Sequence, residues 1–467
     1  MSLQQRLNGN DVRDERVLGA RLGRAQGHGP VDRFVDLRAA LHRACIATVG
    51  PELQSLEGSP DELRHRVQDV VEAELACLEE RITTEERQQL VAGIVDDVLG
   101  YGPIEPLLHD ESVTEIMVNG YSQVFVERHG KLEDSGVQFA SDEHLMRVID
   151  RVVSAVGRRV DEASPMVDAR LADGSRVNVI IPPLALRGPV LTIRKFSRDA
   201  LTANDLVSLG SLSEGAVDFL RACVCGKLNV LISGGTGVGK TTLLNALSSF
   251  IPSDERIITV EDAAELHLQQ RHVVSLESRP SNIEGQGAVG IRDLVRNALR
   301  MRPDRIVIGE VRGPEAVDML QAMNTGHEGS LTTIHANTPR DALSRLETCV
   351  LTAGVDLPLR AIREQISSAF DLVVQLSRLV DGSRRVTHIT EVLRMESEVV
   401  TLQDIFLARP SSGTSAALLE ELQPTGLRPQ FGQKLAAAGV VLPPDAFESE
   451  RVVSSIASAA QARRRAS

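Results

Sequence analysis

The sequence predicts an α/β protein: a parallel sheet covered on both faces over residues 201–405, preceded by a helical segment and a small α+β domain. Three observations predict it. Short apolar runs alternate with helical stretches between residues 228 and 334, the texture of a parallel sheet with both faces buried. A glycine-rich turn joins the first of those runs to a helix. The 467 residues are 42% hydrophobic and 25% charged, enough for several cores at the usual size of a domain.

Residues 1–30 are rich in Arg, Gly, Gln and Asp without hydrophobic periodicity and read as a mobile leader. A helical N-terminal region over 31–103 follows. Its apolar positions are Leu37, Leu41 and Cys45, then Leu63, Val67, Val70, Val71 and Leu75, then Leu90, Ile94, Val95 and Leu99, spaced for amphipathic helices. Ser59-Pro60 and Thr83-Thr84-Glu85-Glu86 supply cap residues, and Gly100 with Pro103 ends the last helix. Over 104–200, β-like runs at 115–119, 123–127 and 176–181 surround a helix from Glu143 to Ser154, giving the α+β domain. From 201 to 405, apolar strands at 228–233, 256–261, 305–309 and 329–334 alternate with helices. Beyond, residues 406–467 form a C-terminal extension, richer in Pro, Ser and Gly, with a small helical unit and an Arg463-Arg464-Arg465 tail.

Composition excludes several functions. Aromatics are 3%, Trp is absent and the net charge is −13, so no direct nucleic-acid contact is expected. Five cysteines without a CxxC pair give no metal framework and fit a reducing compartment; Cys223 and Cys225 read as inert core thiols. No signal-like or membrane-length apolar run is present, so a cytoplasmic location is expected, with membrane contact only through partners.

The turn Gly234-Gly235-Thr236-Gly237-Val238-Gly239-Lys240-Thr241 matches G-x-x-x-x-G-K-[ST], with Thr242 next in the helix that follows. Glycines let the backbone N–H groups cradle phosphate oxygens, and the helix N-terminus adds positive potential. Lys240 is expected on the β- and γ-phosphates of ATP and the Thr241 hydroxyl on Mg²⁺. The second strand ends in Glu261-Asp262-Ala-Ala-Glu265, carboxylates at the edge where α/β proteins bind ligands. There a carboxylate can orient the attacking water or metal-bound waters. The third strand, Ile306-Val-Ile-Gly309-Glu310, ends as a Walker B strand does, but with Gly309 in place of the usual aspartate. Magnesium is then held more by Thr241, phosphates and water, with Glu310 acting through a water or as the activating base. His327 and His335 flank the fourth strand, and a neutral imidazole there can donate to a γ-phosphate oxygen. Arg292, Arg296 and Arg300 stand at i, i+4 and i+8 as a basic stripe expected to face the acidic box or the lumen of a ring.

Taken in order, the phosphate loop, the acidic box at 260–266, RPDRIVIGEVRG at 302–313 and GHEGSLTTIHAN at 326–337 resemble the type II/IV secretion ATPase superfamily. The stretches at 102–108, 113–120 and 157–170 are most similar to the CpaF-type ATPases of Flp (Tad) pilus assembly. The resemblance spans roughly 35–405. It implies a RecA-like P-loop domain in a homo-hexameric ring that converts ATP hydrolysis into work on inner-membrane platform proteins, and so drives pilin extrusion. It also implies an arginine reaching the nucleotide from the N-terminal domain, for which Arg170, Arg176 and Arg194 are the candidates. Two features depart from the relatives: the tetracysteine insertion of many sister ATPases is absent, and Glu328 stands where Asp is common. The competing readings are a type IV secretion traffic ATPase moving protein or DNA, a RecA-like nucleic-acid translocase, and a scaffold that binds ATP without hydrolysing it.

Overall fold

In the computed structural model, which describes residues 60–76, 82–128, 130–196, 201–279, 281, 286–409, 421–442, 444–447 and part of 37–48, the first long apolar periodicities form helices Pro60–Ala76 and Thr84–Leu99. The second opens on a capping box. The Thr83 hydroxyl accepts from the Glu86 N–H at 3.2 Å, and the Glu86 carboxylate accepts from the Thr83 N–H at 2.8 Å. Val67, Val71 and Leu75 of one helix pack with Leu90, Ile94, Val95 and Val98 of the other, joined by Leu41 and Cys45. The leader 1–30 and the triple-arginine tail lie outside the described residues.

The chain divides into two compact units, one within 1–196 and one within 197–467. The first carries a six-stranded sheet of β1 (Val113–Asn119), β2 (Val124–Arg128), β3 (Lys131–Asp134), β4 (Met166–Arg170), β5 (Arg176–Ile180) and β6 (Val190–Arg194) in the order β3-β2-β1-β6-β5-β4. All its neighbours are antiparallel. Ile116, Val118, Val124, Val126, Val177, Val179, Leu191 and Ile193 bury one face against Leu145, Val148, Ile149 and Val152 of helix Asp142–Ser154. This is the alternation of a sheet with one covered face.

The second unit, a RecA-like α/β fold, is built on nine strands: β7 (Val230–Gly234), β8 (Ile257–Glu261), β9 (Val273–Glu277), β10 (Arg305–Ile308), β11 (Leu331–Ile334), β12 (Leu372–Arg378), β13 (Arg384–Glu396), β14 (Val399–Leu407) and β15 (Gln423–Pro424). Their order is β15-β14-β13-β12-β7-β11-β10-β8-β9. From β12 to β9 every pairing is parallel. Val230 and Ile232 of β7 enter one core and Leu231 the other, so both faces are covered as the apolar runs predict. The parallel sheet is also extended. β13, β14 and β15 extend it in antiparallel fashion, because the chain leaves β12 through a tight hairpin at Asp381-Gly382-Ser383, with Gly382 at φ +86°.

The expected boundary near 405 is also displaced. Leu422, Phe431, Leu435 and Phe447 belong to the same core as Phe219 and Phe406, with Phe219 ring centroids 5.3, 6.2 and 5.8 Å from those of Phe406, Phe431 and Phe447. Gly226 leaves the room, since a Cβ there would overlap Leu435 Cδ2. The C-terminal segment, over its described residues, is thus part of the sheet and its packing. Cys223 is buried in this core, and burial pushes its thiol well above the usual range. No helix among the described residues is long and apolar enough to cross a membrane.

Candidate active site

All five residues of β7 are buried, and the strand delivers the glycine loop at its carboxyl end. Gly234 is required by packing: a Cβ would stand 2.6 Å from Val238 Cγ2 and 2.9 Å from Leu376 O. Gly237 and Gly239 take φ of +69° and +93°, the left-handed region that favours glycine. Gly239 opens helix Lys240–Ser248, whose first N–H groups lack intrahelical acceptors and point toward the loop. Lys240 is buried; its Nζ donates to Gly235 O at 2.9 Å and lies 3.3 Å from His335 Nδ1. Thr241 and Thr242 sit half-buried in the first turn.

From Lys240 a line of contacts crosses the carboxyl edge of the sheet. His335, just past β11, has Nε2 3.0 Å from Glu310 Oε1. Glu310 Oε1 thus stands at ion-pair distance from the imidazole, and Lys240 Nζ lies 3.3 and 3.4 Å from its two ring nitrogens. Glu310, just past β10, is met by Arg312 at both oxygens, Nε 3.0 Å from Oε1 and Nη2 donating to Oε2 at 3.1 Å. Arg312 Nη1 lies 3.7 Å from Asp262 Oδ2, just past β8. The sequence of residues, Lys240, His335, Glu310, Asp262, is the spatial order of their strands, β7-β11-β10-β8. Burial, then the Lys240 charge, holds His335 below its usual pKa, with Glu310 opposing. The Glu310 hydrogen bond raises the Arg312 pKa, with burial opposing and Asp262 and Glu265 adding to the rise. Glu265 therefore acts on the same guanidinium.

Glu261, at the end of β8, is 2% exposed and organises the acidic box. Its Oε1 accepts from the Glu265 N–H at 2.9 Å and the Leu266 N–H at 3.1 Å, which fixes the turn presenting Glu265. A Cβ at Gly309 would come 2.9 Å from Glu261 Cγ. The glutamate of the neighbouring strand thus fills the space beside Gly309 that a side chain there would need. Asp262 is held by Ser278, whose hydroxyl donates to Oδ1 at 2.7 Å.

Two expectations are corrected. His327 precedes β11 and so lies at the opposite end of that strand from His335; its Nδ1 is 3.3 Å from Ala322 O. The strand's direction separates the two histidines, and only His335 joins the cluster. The basic stripe does not turn to the acidic box at Arg292 and Arg296, whose Nε atoms donate to Asp318 Oδ2 and Oδ1, each at 2.8 Å. In the first unit Arg170 pairs with Arg176, and Arg176 with Arg194, in the sheet register. The three candidates form one row across β4, β5 and β6.

Sequence reasoning missed Arg312, which carries no motif signal beyond its place in GEVRG, and Arg384, whose Cδ would stand 4.0 Å from a Cβ at Gly239. The residues fit Mg²⁺ and a nucleotide. A Cβ at Gly237 would meet nothing within 4 Å, leaving the loop backbone approachable, and Thr241 with the carboxylates offers oxygen donors of the type a hard cation takes. No group of three or more His, Cys, Asp or Glu placed to hold a metal occurs among the described residues.

A family model described as "Type II/IV secretion system protein" matches residues 97–417. A Mycobacterium tuberculosis protein named for conjugal transfer is 38% identical over 333 residues, covering 70% of this chain and 94% of its own. The type IV secretion system protein VirB11 of Bartonella henselae is 33% identical over 323 residues, covering 62% of this chain and 90% of its own. Among solved structures, the VirB11 ATPase from the Brucella suis type IV secretion system is 31% identical with a TM-score of 0.34, covering 62% of this chain and 94% of that one.

Proposed function

The chain belongs to the type II/IV secretion system protein family, and on that premise we propose that it is a hexameric ATPase that powers pilin extrusion through inner-membrane platform proteins in Flp (Tad) pilus assembly. The observation that carries an ATP-hydrolysing site is the line of contacts from Lys240 through His335 and Glu310 to the acidic box. Lys240 exchanges Gly235 O and His335 for phosphate oxygens. His335, kept neutral, follows with a hydrogen bond to the γ-phosphate. Glu310 or Glu265 orients and deprotonates the attacking water. Thr241, and Glu310 through a water, would hold Mg²⁺, which when bound would supply neutralising charge.

The row Arg170, Arg176, Arg194 supports an arginine acting from the first unit. The pilus reading rests on the similarity at 102–108, 113–120 and 157–170, and the ring is cytoplasmic, peripheral to the membrane through its partners. A second reading, a type IV secretion traffic ATPase, is favoured by the names of the relatives, which are conjugal transfer and VirB11 proteins. The test has two arms. Purified chain is assayed for ATP turnover and six-fold rings, with Glu310→Gln, Glu265→Gln and the three arginine-to-alanine variants; no turnover in the wild type sinks the enzyme. Deletion in the source cell then separates loss of surface filaments from loss of DNA or protein transfer.

A further inference from the structure

Arg312 is 54% exposed, yet its guanidinium meets both oxygens of Glu310 and approaches Asp262. The backbone that carries it is pinned. Val311 is buried and its N–H donates to Thr333 O at 2.9 Å, while the N–H groups of Arg312 and Gly313 donate to Oε1 of buried Glu315 at 2.7 and 2.8 Å. An exposed ion pair adds little to stability, so folding alone gives small reason for this arrangement. A guanidinium facing a carboxylate at two points does fix the carboxylate's plane. His335 reaches the same Oε1, so Glu310 is held between two groups on neighbouring strands.

Resting on the ATP-hydrolysing reading above, we propose that Arg312 is a positioning residue: it orients Glu310 and ties it to Asp262, so that the Walker B carboxylate and the acidic box keep one geometry when nucleotide enters. Its loss lets Glu310 rotate while the phosphate loop stays intact. Misplacement of a reacting group by about 1 Å lowers rate by about 100-fold without a change of contacts to substrate.

The experiment measures ATP turnover, KM and the binding of a fluorescent mant-ATP for wild type, Arg312→Gln, Arg312→Lys, Glu310→Gln and the Glu310→Gln/Arg312→Gln double variant. Arg312→Gln is expected to lose about 10- to 100-fold in kcat, with KM and mant-ATP affinity close to wild type. Arg312→Lys regains part of the rate, because an ammonium still meets one oxygen. In the Glu310→Gln background, Arg312→Gln adds no further loss. Turnover at or above wild type, a parallel loss of mant-ATP binding, or additive losses in the double variant overturns the proposal. If Arg312→Gln fails to fold, Arg312→Lys with wild-type turnover and additive behaviour overturns it as well. Lys240→Ala separates the two levels. Hydrolysis at wild-type rate in that variant rejects the ATP site itself, whereas an inactive Lys240→Ala beside a wild-type Arg312→Gln rejects only the role of Arg312.

Discussion

At the amino edge of the parallel strands Arg305, with no exposed surface, donates to Glu255, to Val224 O at 2.7 Å and to Gly329 O at 3.3 Å. Beside it, Asn229 donates to Ala369 O at 2.6 Å and accepts from the Ser330 N–H at 2.9 Å, and Asp371 pairs with Lys434 at 3.1 Å. At the carboxyl edge of the same strands, the side chains of Glu310, His335 and Arg312 keep 20%, 26% and 54% of their surface. There the contacts run from side chain to side chain. The difference separates two uses of charge: clasped by backbone carbonyls it fixes the sheet, and shared among partly exposed side chains it can be re-partnered by a ligand.

The sharpest way to break that comparison is Lys240→Ala. Turnover is expected to fall about 100-fold or more, while the unfolding free energy in urea stays within about 1 kcal/mol; a variant that unfolds instead makes the carboxyl edge structural. Next is Arg305→Ala, which leaves Glu255 buried beside Lys227 alone and is expected to lose about 3–5 kcal/mol of stability. A folded, stable Arg305→Ala with lost turnover would invert the assignment. Lys434→Ala is smaller, about 1–3 kcal/mol, since Asp371 keeps the Asn229 N–H at 2.8 Å; wild-type turnover below its melting range is the matching result. The smallest effect is a titration. His335 is expected to titrate below 6.5 by NMR. Lys240→Ala, which removes a nearby positive charge, raises that value, and Glu310→Gln, which removes a negative one, lowers it. Opposite signs would mean that the three groups do not form one cluster.

Much of this was legible in the sequence, for reasons that differ by residue. The β7 run and the glycine loop stand out because a fully buried strand leaves no polar positions and left-handed turns select glycine. Glu261, Glu265, Glu310 and His335 follow from lying at strand ends, where parallel sheets gather their ligands. The paired histidines misled because spacing ignores direction: four residues of strand separate them, and a strand has two ends. Arg312 carried no signal, since all but five of the 51 Lys and Arg residues are arginine. The crowding at Gly309 needed coordinates, as it depends on a side chain from the next strand. The antiparallel strands β13–β15 and the packing of Leu435 against Gly226 were hidden in a region whose Pro, Ser and Gly content reads as an appendage.

Leu435 and Phe447 also set the order of events during synthesis. The ribosome releases β7 long before the residues that complete its core, because Phe447 follows Val230 by more than two hundred positions. At about 5–20 residues per second that interval is on the order of 10–40 s. Throughout it the Phe219 ring and the hollow above Gly226 lack the partners that Phe431, Leu435 and Phe447 later supply. A transcript truncated before codon 435 would leave that apolar surface permanently uncovered.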